Sequence, residues 1–386
     1  MRGSIRDKSA GVYELRVSLG RDPITGRYRQ LSRIIHGGKR TAQNELAKLI
    51  TEVQAGKHLA TSATVADLME KWLEHLERLG RAPKTLEGYG SLIKHRILPA
   101  LGTIEVGKLS AEQLDAFYAR LKREGLADPT IHHYHACLSA ALRQAVRWGW
   151  IDVAPTFRAT APALGTREVR PPTVEEVRSV LEELGRRDPD AATLAYVAAT
   201  TGCRRGELCG LRWSDVDLEQ GNLTINRAIS EVRFAGLVVK DTKTHRPRRL
   251  ALDPATCEVL RAHRAAVQDR AETAGVPVQA GGYVWAADLV GAEPRRPDSI
   301  TRAWRSATHR LGLGYVRLHD LRHFAATILA SAGVDIRTIA GRLGHAHPAL
   351  TLRTYAHFME SADRQAAEVM GRLDLASRDQ DDKHAS

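Results

Sequence analysis

Four short segments carry residue types suited to chemistry on an anion. They are Thr201-Gly-Cys-Arg204-Arg-Gly-Glu207-Leu, Lys243 in Thr242-Lys-Thr-His-Arg, His319-Asp-Leu-Arg322-His, and Leu343-Gly-His345, followed ten residues later by Tyr355 in Thr354-Tyr-Ala-His357. A phosphodiester is a stable anion, and attack on it builds negative charge on its two non-bridging oxygens. Two guanidiniums can grip those oxygens bidentately and favour the transition state. A tyrosine hydroxyl, with a pKa of about 10, is a weak nucleophile until a cationic site lowers the cost of its anion. Each segment alone has a plain alternative. Arg204 is a surface arginine at the end of a helical run, His319 and Arg322 are a structural pair three apart on a helix, and Tyr355 is a core tyrosine with its hydroxyl satisfied. Lys243 lies among Lys240, Arg246, Arg248 and Arg249, where a solvated charge run is the default. The ordered set, spread over about 150 residues, is what stands against these alternatives.

The elements that must position them begin at Thr173-Val-Glu-Glu176, a capping box that opens a mixed domain ending near Leu375. Ahead of it, Pro155, Pro162, Pro171 and Pro172 mark the best linker in the chain. Residues 63–157 read as a helical bundle. Capping boxes at Thr64-Val-Ala-Asp67 and Ser110-Ala-Glu-Gln113 start two helices, Thr85 to Ile97 forms another, and a fourth runs from Ile131 to Val146. Lys84, Lys94, Arg96, Arg143 and Arg147 give the bundle basic positions that could touch phosphates. His132, His133 and His135 do not share one helix face, so they read as surface or interface histidines rather than metal ligands. In the first sixty residues, 12 Lys or Arg stand against 5 Asp or Glu, a net +7. Tyr13, Leu15, Val17 and Leu19 alternate as a half-buried strand, Asp22 to Gly26 turns, a second strand follows from Arg27 to Ile35, and Thr41 caps a helix. Arg16, Arg27, Arg29 and Arg33 would make the other face of this sheet positive, as a sheet entering a DNA groove requires; a solvated charged face is the equal alternative.

The bulk numbers agree. A length of 386 residues suggests two or three domains, and a net charge of +12 favours a polyanionic partner. Cys137, Cys203, Cys209 and Cys257 form no C-x-x-C pair, which argues against zinc and suits a reducing compartment. The N-terminus lacks a signal-peptide core and no run approaches the roughly 20 apolar residues of a membrane span, so a cytoplasmic protein without membrane partners is expected.

The ordered set resembles the tyrosine recombinases, or phage integrase family, which use an Arg, a Lys, a His-x-x-Arg, a His or Trp and a Tyr in this order. The resemblance covers about residues 63–375 as a core-binding plus a catalytic domain, and the N-terminal unit resembles the arm-site-binding domain of integrases that recognise two classes of DNA site. It implies a multidomain α+β fold: an arm-type sheet-plus-helix domain (1–60), a helical, SAM-like core-binding domain (63–157), a linker (158–172), a mainly helical catalytic domain with a β-hairpin or small sheet (173–375), and a disordered tail (376–386). The catalytic residues carried over are Arg204, Lys243, His319, Arg322, His345 and Tyr355. Lys240, in the same hairpin, competes with Lys243. Ala251 stands where the family often has proline, a departure expected to cost no activity.

On this reading Arg204 and Arg322 grip the phosphate, His345 donates beside them, His319 accepts the Tyr355 proton, and Glu207 orients Arg204 or its helix from behind. The resemblance gives Lys243 the protonation of the leaving 5′ oxygen. No cofactor, metal or ATP is needed: the chain lacks a two-metal carboxylate cluster and a P-loop, and the phosphotyrosine stores the bond energy. The resemblance implies partners as well: double-stranded DNA attachment sites, self-association to a tetramer through a Holliday junction, an excisionase and a DNA-bending host factor. The stripe Ala366, Val369, Met370 and Leu373 is either a helix packed on its own domain or, by resemblance, a tail docked on a neighbouring protomer. Two other functions compete with integration and excision of a mobile element. A type IB topoisomerase has a similar catalytic set, against which the N-terminal basic unit and the helical bundle argue. A non-catalytic DNA-binding regulator is disfavoured because all six residue types are present.

Overall fold

Alternation in the N-terminal segment produces a three-stranded antiparallel sheet. The computed structural model describes residues 3–22, 26–54, 61–164, 170–232, 235–241 and 247–344. Strands β1 (Gly3–Ser9), β2 (Val12–Arg21) and β3 (Tyr28–His36) pair in the order β1-β2-β3, and α1 (Lys39–Gln54) covers one face. Leu15 and Val17 of β2 are fully buried against Ala42, Leu49 and Val53 of α1. The first strand, with Ile5 as its one large apolar residue, carries no period-two signal and was not expected. The helix starts at Lys39, which puts Thr41 inside its first turn rather than at its cap.

The bundle follows. Helix α2 (Val65–Arg78) is capped by Thr64 and Asp67, each side chain accepting the other's backbone N–H. Helix α3 (Pro83–Leu92) runs into a wide π turn, Ile93–Ile97, and then α4 (Leu98–Leu101). The wide turn lies just ahead of Pro99, which has no N–H to give the regular ladder. Helix α5 (Ala111–Arg123) has the Ser110/Gln113 box, and α6 (Asp128–Arg147) completes the set. Leu68, Trp72, Leu114, Phe117, Leu138 and Leu142 form its core.

Contacts divide the chain into two units, Met1–Arg167 and Glu168–Ser386. The second is mixed and mainly helical. Helices α7 (Val174–Gly185), α8 (Pro189–Thr201) and the short α9 (Arg205–Cys209) precede the strands β4 (Val216–Asp217), β5 (Asn222–Ile225), β6 (Arg227–Val232), β7 (Gly236–Asp241) and β8 (Arg248–Ala251). Among the described residues these make a small sheet, β4-β5-β8, and a separate hairpin, β6-β7. Helices α10 (Pro254–Thr273), α11 (Pro297–Arg310), α12 (Asp320–Ser331) and α13 (Ile336–Leu343) close the unit. Its core joins Leu194, Val197, Leu208, Trp285, Trp304 and Leu321. A smaller cluster, Ala326, Ala330, Ile339 and Leu343, seats α13 on α12.

Trp304 does two jobs: its indole is 1% exposed, and its N–H donates to the Val316 carbonyl at 3.1 Å, tying α11 to the segment that leads into His319. Trp304→Ala should lose about 3–5 kcal/mol of unfolding free energy. Urea denaturation measures it, and a loss below about 1 kcal/mol would contradict the packing described.

Candidate active site

The site grows from a break between two helices. Helix α8 stops at Thr201 because Gly202 takes a left-handed conformation, φ 68°. A Cβ there would also lie 2.4 Å from Leu343 Cδ2, so any other residue would be strained in its backbone and would have to displace that leucine. Two residues on, Arg204 has extended backbone and starts α9. Glu207 in the first turn of α9 accepts from the Arg204 backbone N–H and from Arg204 Nη1, both at 2.9 Å. Arg248 of β8 donates to the same carboxylate from Nη1 at 3.0 Å and Nη2 at 2.5 Å. Glu207 is 2% exposed. Burial pushes its carboxyl up, but hydrogen bonding and charge from Arg248, and then from Arg204, outweigh this and hold it below the ordinary range. A carboxylate so placed stays ionised and orients Arg204 from behind.

Arg322 comes from the first turn of α12 and is 5% exposed. Its Nη1 donates to the Gly202 carbonyl at 2.8 Å, while Nη2 is buried with no hydrogen-bond partner among the described residues. Burial, and after it the charge of Arg204, brings its pKa down to about 10. Among the described residues, Arg204 and Arg248 thus bond to the one carboxylate of Glu207, whose charge also acts on Arg322, three guanidiniums against one carboxylate. A buried donor left over in a net positive cluster suits an anion with several acceptor oxygens. Arg204 Nη2 meanwhile donates to the Gly344 carbonyl at 3.0 Å. Gly344 is the left-handed end of α13, and a Cβ on it would meet Arg248 Nη1 at 2.9 Å.

His319 sits at the N-cap of α12, one helical turn before Arg322. Burial, then His323 and Arg322, hold its imidazole below the ordinary value. The His323 ring lies edge-on at 5.5 Å. A neutral imidazole here can accept a proton. Arg204, Glu207, His319 and Arg322 therefore fall in one region of the second unit. Lys243, His345 and Tyr355 lie outside the described residues, as do the stripe 366–373 and the tail. Lys240 is on β7, opposite Ala228 of β6. Among the described residues, no group of three or more His, Cys, Asp and Glu is placed to hold a metal ion.

Arg248 is the participant that the sequence reading missed. It lay in a basic run read as solvated. Leu250, two residues on, is 3% exposed, and residues two apart on a strand share a face, so Arg248 is on the covered side of β8, which its place in a basic run does not reveal.

The basic positions of the first unit divide. Arg16 faces away from α1 and donates to Glu14 at 2.9 Å, and Arg27 is exposed beside the turn. Arg29 and Arg33 share the strand parity of Leu31 and Ile35, which puts them on the helix side. Arg33 pairs with Glu52 of α1 at 3.4 Å, and Arg29 approaches Asp22 at 4.0 Å. The expected positive outer face is thus corrected, because alternation on β3 assigns these two to the covered side. In the bundle, Lys94 is exposed, Lys84 pairs with Glu87 at 3.0 Å and Arg96 pairs with Glu124. Arg143 and Arg147 border a groove of about 530 Å³ with Trp72, His75, Arg81 and Tyr89. His135 accepts or donates a 2.9 Å bond with buried Tyr118.

Glu207→Ala should cost about 3–5 kcal/mol of stability at neutral pH, since it leaves guanidiniums facing each other without their counter-charge. Because the folded carboxyl is held below its unfolded value, its contribution is present above about pH 4.3 and lost as pH falls through the folded value. The gap between wild type and the isosteric Glu207→Gln should therefore narrow in acid. Urea unfolding at neutral and acid pH measures both effects; a gap independent of pH would contradict an ionised Glu207.

Comparison with known proteins bears on the whole arrangement. The chain matches the family model of the phage integrase family over residues 173–361 and that of the phage integrase N-terminal SAM-like domain over residues 64–122. A tyrosine recombinase XerC-like protein of Caldanaerobacter subterraneus subsp. tengcongensis is 25% identical, over 94% of this chain and 96% of the relative. An integrase of Mycobacterium phage L5 is 29% identical, over 83% of this chain and 82% of its own. Among solved structures, the Tn1549 transposon integrase in complex with a circular intermediate DNA superposes with a TM-score of 0.68 at 20% identity, covering 80% of this chain and 100% of that one. The matched models cover the first helices of the bundle and the region in which the arginines converge, and the chain belongs to the phage integrase family, the tyrosine recombinases.

Proposed function

We propose that this protein is a site-specific DNA recombinase that integrates and excises a phage or other mobile genetic element through a 3′-phosphotyrosine intermediate. The observation that carries the proposal is the buried Nη2 of Arg322, without a partner among the described residues, beside Arg204 in a cluster that among those residues has excess positive charge. A non-bridging phosphate oxygen satisfies that donor. In the cleavage step the Tyr355 oxygen bonds to phosphorus and the P–O5′ bond breaks. The phenol proton passes to His319, and the departing O5′ takes a proton from the lysine, Lys243 in this assignment. Arg204, Arg322 and His345 hold the two non-bridging oxygens. Religation runs the same exchange backwards with a new strand's 5′ hydroxyl, so no external energy source is consumed.

The remaining parts follow. Residues 1–60 would bind arm-type DNA and 63–157 the core site, joined through 158–172 to the catalytic residues 173–375. Double-stranded attachment sites are the substrate, and two of them require four copies of the chain, with an excisionase and a DNA-bending host factor setting direction. Among the described residues no helix is long and apolar enough to cross a membrane; the proposed substrate, chromosomal DNA, places the action in the cytoplasm.

The test uses the DNA flanking the gene as a nicked substrate. Wild type should form a covalent protein–DNA adduct, and Tyr355→Phe none. Arg322→Ala should bind the same DNA but cleave it about 10²–10³-fold more slowly, the usual effect of removing one transition-state donor. Equal adduct formation by wild type and Tyr355→Phe would end the proposal; equal cleavage by Arg322→Ala would remove that arginine from the clamp.

A further inference from the structure

We infer that Gly206 is a positioning residue: its missing side chain sets the separation between the turn that carries Arg204 and the β6–β7 hairpin, which bears Lys240 and in sequence leads to Lys243, the leaving-group lysine of the proposed reaction. The inference rests on the proposed reading of that lysine as the acid. Gly206 lies in α9, two residues after Arg204, and its backbone has ordinary helical handedness, so alanine is conformationally acceptable there. What excludes alanine is β6. A Cβ on Gly206 would stand 2.5 Å from the Ile229 carbonyl oxygen, with the Ile229 carbonyl carbon at 3.6 Å and its nitrogen at 3.8 Å. This neighbour is backbone, and it cannot rotate away. At the other end of the seat, a Cβ on Gly210 would meet the Ala228 Cα at 3.4 Å and the Arg227 Cγ at 3.2 Å. Helix α9 therefore lies against β6 through two residues that present no side chain.

The strand it touches is the base of the lysine hairpin. Ile229 pairs with Val239, Ala228 with Lys240, and Arg227 with Asp241, beyond which the chain continues to residue 243. The hairpin is tied to the far end of α9, and the turn at its start is held by other bonds. Arg227 Nη1 donates to the Gly210 carbonyl at 3.4 Å and pairs with Asp215, while Arg204 is held by Glu207. A methyl group between them needs roughly an ångström of extra separation to reach ordinary contact. Arg204 is tied to the Gly344 carbonyl at the end of α13 and Glu207 to Arg248 of β8, so the displacement falls on the two-stranded hairpin. A misplacement of about 1 Å in a reacting group costs on the order of 100-fold.

A substrate with sulfur in place of the bridging 5′ oxygen separates this from general damage. A thiol has a pKa of about 8.5, so its anion leaves without a proton. Cleavage rates of Gly206→Ala, Lys243→Ala and Lys240→Ala are compared with wild type on oxygen and sulfur substrates, with DNA affinity measured alongside. We expect Gly206→Ala to bind DNA as wild type does, to lose about 100-fold on oxygen, and to come within a few-fold of wild type on sulfur, as the acid lysine's variant does. Should Gly206→Ala not fold, Gly210→Ala, which crowds the same strand less, should show a smaller loss with the same sulfur rescue. Rescue of a lysine variant without rescue of the glycine variant, or an unimpaired Gly206→Ala, overturns the inference alone. If neither lysine variant is rescued, the lysine assignment falls and takes the inference with it.

Discussion

The buried carboxylate of Glu207 is the constraint on which the site depends. It is shared between Arg204 and Arg248 and stands close to Arg322. Three guanidiniums repel one another, and in a protein interior that repulsion is poorly screened. One carboxylate, ionised and fully hydrogen-bonded, makes the cluster affordable in the folded state without neutralising it. The surplus positive charge is the useful part. It leaves a donor on Arg322 without a partner among the described residues and open to an anion, so binding and charge stabilisation come from the same group.

Around this centre the fold makes close approaches rather than flexible ones. Gly202 lets α8 end against Leu343, and its carbonyl then receives Arg322. Gly344 ends α13 against Arg248, and its carbonyl receives Arg204. Arg248 also donates to the Arg342 carbonyl at 3.2 Å, and Arg342 in turn reaches the Ala251 carbonyl at 3.1 Å. Helix ends, whose last carbonyls lack partners within the helix, are thus satisfied by arginines that belong to other elements. The same bonds that cap α13 fix the chain at the entry to His345. Packing and chemistry are one network here, so substitutions at the glycines should act on rate as well as on stability.

Much of this was legible in the sequence where the determinant is local. The capping boxes at Thr64, Ser110 and Thr173 are single-turn features, and each forms as read. The spacing of His319 and Arg322 places both on the first turn of α12. The β2 alternation identifies the buried face of the first sheet. What was not legible depends on partners distant in sequence. β1 exists because β2 offers it an edge, not because of its own pattern. Arg29 and Arg33 are assigned to the covered face by pairing register and by α1, which composition does not encode. Arg248 looked like one charge in a basic run, and only the approach of α9 turns it into the second holder of Glu207. The Pro99 π turn arises similarly from a conflict between helix propensity around it and the missing N–H at one position.

The central claim is that Arg322 acts on the charge of the scissile phosphate, and a neutral phosphate analogue tests it most directly. Wild type and Arg322→Ala would be compared on DNA carrying either the ordinary phosphodiester or a methylphosphonate, which lacks the negative charge, at the cleavage position. If Arg322 works by holding that charge, its loss should cost about 10²–10³-fold on the phosphodiester and only a few-fold on the methylphosphonate, a large coupling in the double-substitution cycle. An equal penalty on both substrates would mean that Arg322 supports the fold alone, and the account of the clamp would be wrong.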